Sequence, residues 1–356
     1  MLILNILIFI LILGLLVFVH ELGHFLVAKR VGMKVNEFAF GFPPRLFSKK
    51  YKGTRYAINL IPLGGYVKIE GEDGDSVSRD AFNQKSISAR IAVLVAGVSM
   101  NLLLAVIILA IGFKIGMVPL VSDYKNLGGE QQPFVIISGV VKDSAADNAG
   151  IMAGKKIVSI NGEPVSSSTQ TIELTKNLRN QNISLGTSDV NNKNFDIINF
   201  VLPDKDAPMG VYLVDSAVVK LGFLASVKTA IIETGLAIWA IIVFLGQFLA
   251  QLFSTGTLND QVSGPIGIYQ FTSQAINLGF TFVLQLIGIL SINLAILNIA
   301  PFPALDGGRV LFVFLEKIFG RKVVHERIEG VIHAIGFILL IALFLAITYK
   351  DILRIG

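Results

Sequence analysis

The chain has 356 residues, 53% of them hydrophobic and only 15% charged, with 30 Lys and Arg against 25 Asp and Glu. A soluble domain carries about 25% charged residues, and here the apolar residues fall in long runs, which excludes an ordinary soluble protein. In a membrane protein the placement of Lys and Arg matters more than their sum, so the net charge of +5 points to a lipid bilayer and not to nucleic acid. The chain has no Cys, which excludes disulfides, thiolate metal sites, Cys nucleophiles and iron–sulfur clusters.

The first element is the uncharged run Leu2 to Val19. A signal peptide has a positive leading region and a small-residue cleavage site. No Lys or Arg precedes this run, and His20-Glu21 follows it, so a retained transmembrane helix is expected. Segment 29–90 is rich in Lys and Arg, among them Lys29, Arg30, Lys34, Arg45, Lys49 and Lys50, and is expected in the cytoplasm. Within it Tyr56 to Glu70 alternates apolar and polar residues around Gly64-Gly65. This pattern suggests a membrane-dipping hairpin able to pair with an extended peptide.

Ile91 to Phe113 is a second uncharged run, between Arg90 and Lys114. Residues 114–220 look soluble and extracytoplasmic, with strands predicted at Phe134–Ile137 and Lys156–Ile160 and a turn at Asn161-Gly162. Residues 221–277 are expected to hold an amphipathic helix lying on the membrane surface. Third and fourth spans are expected at Leu278–Ile299 and Val331–Thr348, in a C-terminal part running 278–356. The expected fold is a polytopic α-helical membrane protein of four transmembrane helices, with both termini outside. An N-terminal membrane part would cover 1–113, and a small α+β domain would be inserted at 114–220.

The chemistry starts where the first span ends, in His20-Glu21-Leu22-Gly23-His24. Spacing of four puts both imidazoles on one helix face, where they can grip one ion. Glu21 is then placed to act as a general base. Ionisable groups in a bilayer helix are costly and need partners, and a catalytic zinc takes three protein ligands plus water. The remaining candidates for the third ligand are His325, His333 and Asp306. Residues 261–305 carry no Asp, Glu, Lys or Arg, so Asp306 is the first charge after a long neutral stretch. His20 lies about 27 Å along its helix, near the far face of a core about 30 Å thick. Asp306 follows a span of similar length. The two meet if the first and third spans run in the same direction, which requires that 221–253 does not cross. Asn298, one or two turns before Asp306, could hold the substrate backbone or a developing oxyanion. Pro301 and Pro303 must break the helix there, and irregular backbone at membrane depth is tolerated where it lines a cavity.

His20-Glu-Leu-Gly-His24, the run Asn298-Ile-Ala-Pro301-Phe-Pro303-Ala-Leu305-Asp306-Gly307, Gly97-Val-Ser-Met-Asn101 and Ile61-Pro-Leu-Gly-Gly-Tyr66 together resemble the site-2 protease family of intramembrane zinc metalloproteases, of the regulator of sigma-E protease type. The resemblance implies zinc held by His20, His24 and Asp306, with Glu21 as catalytic base. It implies an intramembrane endopeptidase for single-pass membrane proteins, such as anti-sigma factors and remnant signal peptides, in a bacterial inner membrane or its equivalent, with the site near the cytoplasmic face. Asn298, Asn101, Gly64 and Gly65 are candidate substrate-binding residues. Ala145 to Val165 is similar to a PDZ domain, implying that 114–220 receives a peptide or the substrate's periplasmic segment. Two departures stand out: Gly41-Phe42-Pro43-Pro44 where relatives read Gly-Phe-Gly-Pro, and Lys155 where a PDZ commonly has Asp. The competing readings are a catalytically inactive PDZ-bearing scaffold or chaperone, and a metal transporter. The latter usually shows internal repeats, and none is visible.

Overall fold

The computed structural model describes residues 2–355 apart from 73, 75, 191–193, 256–262, 322, 323 and 325. His325, one of the histidines weighed as a ligand, thus lies outside the described residues. The chain runs α1 (Leu2–Arg30), β1 (Val35–Tyr51), β2 (Thr54–Ile69) and α2 (Ile87–Ile115). A sheet segment follows: β3 (Glu130–Val140), α3 (Ala145–Asn148), β4 (Lys156–Ile160), β5 (Glu163–Pro164), α4 (Ser168–Asn177), β6 (Asn182–Ser188), β7 (Asp196–Val201) and β8 (Val211–Lys220). The remainder is helical: α5 (Phe223–Thr255), α6 (Pro265–Leu278), α7 (Phe280–Ile299), α8 (Asp306–Phe319) and α9 (Glu326–Ile355). Two compact units result, one of residues 1–109, 230–276 and 283–356, the other of 110–229 with 277–282.

In the first unit, α1 is a continuous apolar helix that carries the His-Glu-x-x-His run inside it. It stops at Gly32, whose φ is +71°. There Met33 N–H reaches back to the Ala28 carbonyl at 2.8 Å, the six-to-one bond of a glycine-terminated helix. Ala28 and Met33 then enter a cluster with Val35, Ile69, Val93, Leu94 and Val313, which joins α1, β1, β2, α2 and α8. A second cluster, Ile12, Leu16 and Ile287, sets α1 against α7. A third, Ala105, Ala237 and Ile292, sets α2, α5 and α7 together.

The hairpin β1–β2 turns at Lys52-Gly53, with φ of +44° and +81° and Tyr51 paired to Thr54. This is the two-residue turn that right-handed strand twist favours. Ala39 faces Ala57 on one side and Tyr66 on the other, so β2 bends back on itself between Asn59 and Gly65. The bend expected at Gly64-Gly65 falls here.

Among the described residues, five helices are long and apolar enough to cross a membrane: Leu2–Arg30, Ile87–Ile115, Phe223–Leu252, Phe280–Ile299 and Ile328–Leu353. The four expected spans are among them. The fifth lies in α5, expected as an amphipathic surface helix. Length and composition alone do not separate it from a span, and its Ala237 is packed against Ala105 and Ile292. Many of the apolar side chains on these helices are exposed, as at Leu11, Leu103, Trp239 and Ile338, a surface suited to lipid and not to water.

The second unit is built on a sheet of order β7-β6-β4-β3-β8, with β5 paired to β4. The strands expected at Phe134–Ile137 and Lys156–Ile160 lie within β3 and β4. Asn161-Gly162 makes the β4–β5 turn, with φ of +51° and +83°. Val135, Ile137, Ile157, Ile160, Ile183 and Leu185 form its core. Ser167 caps α4 by accepting from Gln170 N–H at 3.2 Å, and Asp215 of β8 accepts from Ser168 N–H at 2.5 Å and its hydroxyl at 3.0 Å. Lys155, the departure noted in the sequence, is 3.0 Å from Asp189 and 3.4 Å from Asp196.

Candidate metal centre

His20 and His24 lie one turn apart on α1, with ring centroids 4.8 Å apart. Asp306 opens α8, after Pro301 and Pro303 end the run of α7. Although 286 positions separate His20 from Asp306, the His20 Nε2 to Asp306 Oδ2 distance is 3.0 Å. His24 Nε2 is 3.2 Å from the same oxygen and 3.1 Å from His20 Nε2. A tetrahedral zinc with bonds of about 2.0–2.1 Å holds its ligand atoms about 3.3 Å apart, so the triangle is of the right size.

The protons are placed to match. His24 Nδ1–H donates to the Val93 carbonyl at 2.8 Å, which leaves Nε2 as a lone pair. His20 Nδ1 faces the Asn101 amide at 3.3 Å, and Asn101 Oδ1 has no hydrogen-bond partner among the described residues. Turned so that Oδ1 accepts Nδ1–H, this amide likewise frees His20 Nε2. Two lone pairs and a carboxylate oxygen, all three acceptors, then converge on one point. Such an arrangement repels itself unless a cation sits there, so the residues fit a metal ion.

The surroundings are shaped for this. A Cβ on Gly97 of α2 would lie 2.4 Å from His24 Nε2 and 2.8 Å from His20 Nε2; only glycine leaves room for the imidazoles. A Cβ on Gly23 would lie 2.4 Å from the Ala96 carbonyl, which shows how closely α1 and α2 cross. The Glu21 side chain lies against β2, where a Cβ on Gly65 would come 3.7 Å from its Cγ. The strand with Gly64 and Gly65 therefore runs beside Glu21. Asn298 Nδ2 is 3.3 Å from His20 Nε2, at the edge of the centre. One turn past Asp306, Arg309 pairs with Glu72 at 2.7 Å, tying α8 to the chain beyond β2.

The four residues first singled out, His20, Glu21, His24 and Asp306, are thus brought together, with Asn298, Gly64 and Gly65 next to them. Asn101 is fully buried, with its carbonyl accepting from Ser291 at 2.7 Å and its amide against His20. His333, weighed as a third ligand, instead accepts Ala304 N–H at Nδ1. Sequence reasoning missed Val93, the steric role of Gly97 and the Arg309–Glu72 pair. The G-x-x-x-N spacing, which places Gly97 and Asn101 on one helix face, was the signal available for one of these, Gly97.

Comparison with known proteins gives one consistent result. The profile of Peptidase family M50 matches residues 8–343. A Fusobacterium nucleatum protein provisionally named a zinc metalloprotease is 33% identical, over 96% of this chain and 97% of its own. Zinc metalloprotease RasP of Bacillus licheniformis is 30% identical over 98% of each chain. The regulator of sigma-W protease RasP of Bacillus subtilis is 28% identical over 98% of each.

Proposed function

The chain belongs to peptidase family M50 and is a zinc metalloprotease of the membrane, and from that premise we propose that it hydrolyses peptide bonds in the transmembrane segments of single-pass proteins. The observation that carries this reading is the meeting of His20, His24 and Asp306 beside Glu21. We assign zinc to the Nε2 atoms of His20 and His24 and to the Asp306 carboxylate. Bound there, zinc supplies a Lewis acid and an acidified water. The Glu21 carboxylate accepts a proton as water oxygen adds to the peptide carbonyl carbon. It returns that proton to the amide nitrogen as the C–N bond breaks. The Asn298 amide donates toward the carbonyl oxygen as negative charge develops on it.

A helical substrate must unwind before it can be cut, because its carbonyls are bonded internally. The strand from Gly65 to Ile69 has Ala39-side pairing on one edge, and its other edge is the proposed docking line for the unwound segment. Four crossings, by α1, α2, α7 and α9, fit this reading. α6 begins where Gly267 N–H meets Asp351, eighteen residues along α9 from His333, or about 27 Å. This separation supports our reading that the start of α6 and the metal centre lie near opposite faces of the bilayer. We assign the sheet unit to a PDZ-like role outside, receiving a peptide or the substrate's periplasmic segment, with the metal centre near the cytoplasmic face of a bacterial inner membrane. Anti-sigma factors and remnant signal peptides are the proposed substrates; the relative named for regulating sigma-W lends support.

The test is cleavage of a single-pass reporter by the intact protein and by Glu21→Gln. Zinc retained with cleavage abolished is the expected result. Cleavage surviving in Glu21→Gln removes the mechanism, and zinc retained in Asp306→Ala removes the ligand assignment.

A further inference from the structure

The loop that delivers Asp306 has few ways to hold its shape. Between Ala300 and Leu305, Pro301 and Pro303 have no N–H. Ala300 N–H donates to Leu297, Phe302 N–H to Ala300, and Leu305 N–H to Phe302, all along the local chain. The remaining donor, Ala304 N–H, goes to His333 Nδ1 on α9 at 2.8 Å. Ala304 has φ of +77°, a left-handed conformation that L-residues adopt at a cost and that persists where surroundings enforce it. One turn along α9 a Cβ on Gly336 would lie 2.5 Å from Pro303, so this face of α9 is fitted against the loop. Phe312 of α8 packs edge-on to the His333 ring, with centroids 5.7 Å apart.

We propose that His333 is a positioning residue for the third zinc ligand, an inference that rests on Asp306 being that ligand. By accepting Ala304 N–H, its Nδ1 fixes the strained residue two positions before Asp306, and with it the direction in which the carboxylate enters the centre. The role demands one tautomer. Nδ1 must be bare and Nε2 protonated, and the Glu329 carboxylate, 4.0 Å from Nε2 on the same helix, favours that proton. Metal ligands need placement to within about 0.2 Å, so a loop freed at Ala304 holds zinc less well even with all three ligands present.

The experiment uses the full chain purified in detergent, as wild type, H333L, H333N and D306A. Zinc affinity is read by competition with a chromogenic chelator, and reporter cleavage is read separately. Asn offers an acceptor oxygen at the same distance from Cβ as Nδ1; Leu fills similar space and accepts nothing. H333L is expected to bind zinc about 10- to 100-fold more weakly, with kcat reduced, and H333N to recover wild-type affinity to within about threefold. Equal affinity in H333L and wild type overturns the proposal, as does H333N as weak as H333L, since that assigns the effect to ring packing. D306A separates the two levels of the argument: zinc lost there while H333L is normal sinks only the His333 role, whereas zinc kept in D306A sinks the ligand assignment beneath it. Nitrogen-15 labelling of the four histidines tests the wild-type protein directly, with the His333 signals identified by their absence from H333N. A bare Nδ1 and protonated Nε2 support the role, and a protonated Nδ1 overturns it.

Discussion

Gly97→Ala places one methyl group where the metal centre has no space for it. The added carbon would sit 2.4 Å from His24 Nε2, 2.7 Å from His20 Cε1 and 2.8 Å from His20 Nε2. Non-bonded heavy atoms of this kind rest about 3.5 Å apart, so the rings must retreat by about 1 Å. The helices cannot separate cheaply to make room, because Gly23 already meets the Ala96 backbone and Val93 and Leu94 are buried in the cluster with Ala28. A displacement of about 1 Å is several times the roughly 0.2 Å that metal ligation tolerates. Zinc affinity is therefore expected to fall by at least about 100-fold, or about 2.8 kcal/mol at 1.4 kcal/mol per decade. Chelator competition and zinc content per chain measure this in purified protein. Gly235→Ala is the control, because a Cβ there meets nothing within 4 Å; it should bind zinc normally. Full zinc content and wild-type affinity in Gly97→Ala would refute the packing argument.

Two further perturbations probe the frame around the site. Asp351, 4% exposed, accepts Gly267 N–H at 2.9 Å, so Asp351→Ala strands a buried donor and should cost about 1–3 kcal/mol. Denaturant titration measures it, with faster hydrogen exchange at the Gly267 amide; an unchanged exchange rate there counts against the contact. In the sheet unit, the hydrogen bond from Lys155 holds the Asp189 carboxyl below the usual range, and Asp189 in turn raises Lys155. The pair's contribution is complete above the unfolded Asp value near 3.9 and below the unfolded Lys value near 10.4. It fades on acidification through the lowered Asp189 value, or on the alkaline side through the raised Lys155 value. Lys155→Met should cost under about 1 kcal/mol at pH 7 and flatten the acid limb of the unit's stability curve; an identical acid limb in both proteins would exclude the pair as a contributor.

Much of this protein was open to reading from its sequence. The His-Glu-x-x-His run announced itself because helical spacing is a local rule, and four apolar runs announced spans because bilayer thickness sets a length. Asp306 stood out as the first charge after a neutral stretch, an argument from cost, since a charge in an apolar setting needs a partner. The strands at Phe134 and Lys156 and the turn at Asn161-Gly162 were legible for the same local reasons. α5 was not settled this way, because an apolar helix of 33 residues meets the same criteria whether it crosses or not.

The tertiary structure decided what depends on residues distant in sequence meeting at contact range. The expectation that Asp306 could join His20 was an argument about helix direction; the 3.0 Å between them depends on how α1, α2, α7 and α8 pack. Asn101 read as a candidate substrate-binding residue, and only the packing set its buried amide against the His20 ring. Gly97 read as one glycine of a spaced motif, and only the crossing of α2 over α1 showed that its missing side chain is the space the imidazoles occupy. His333 looked like a spare ligand until the fold set it under Ala304. Local spacing shows which groups a chain can offer, but ångström-scale steric fit and the pairing of buried donors belong to the packed whole.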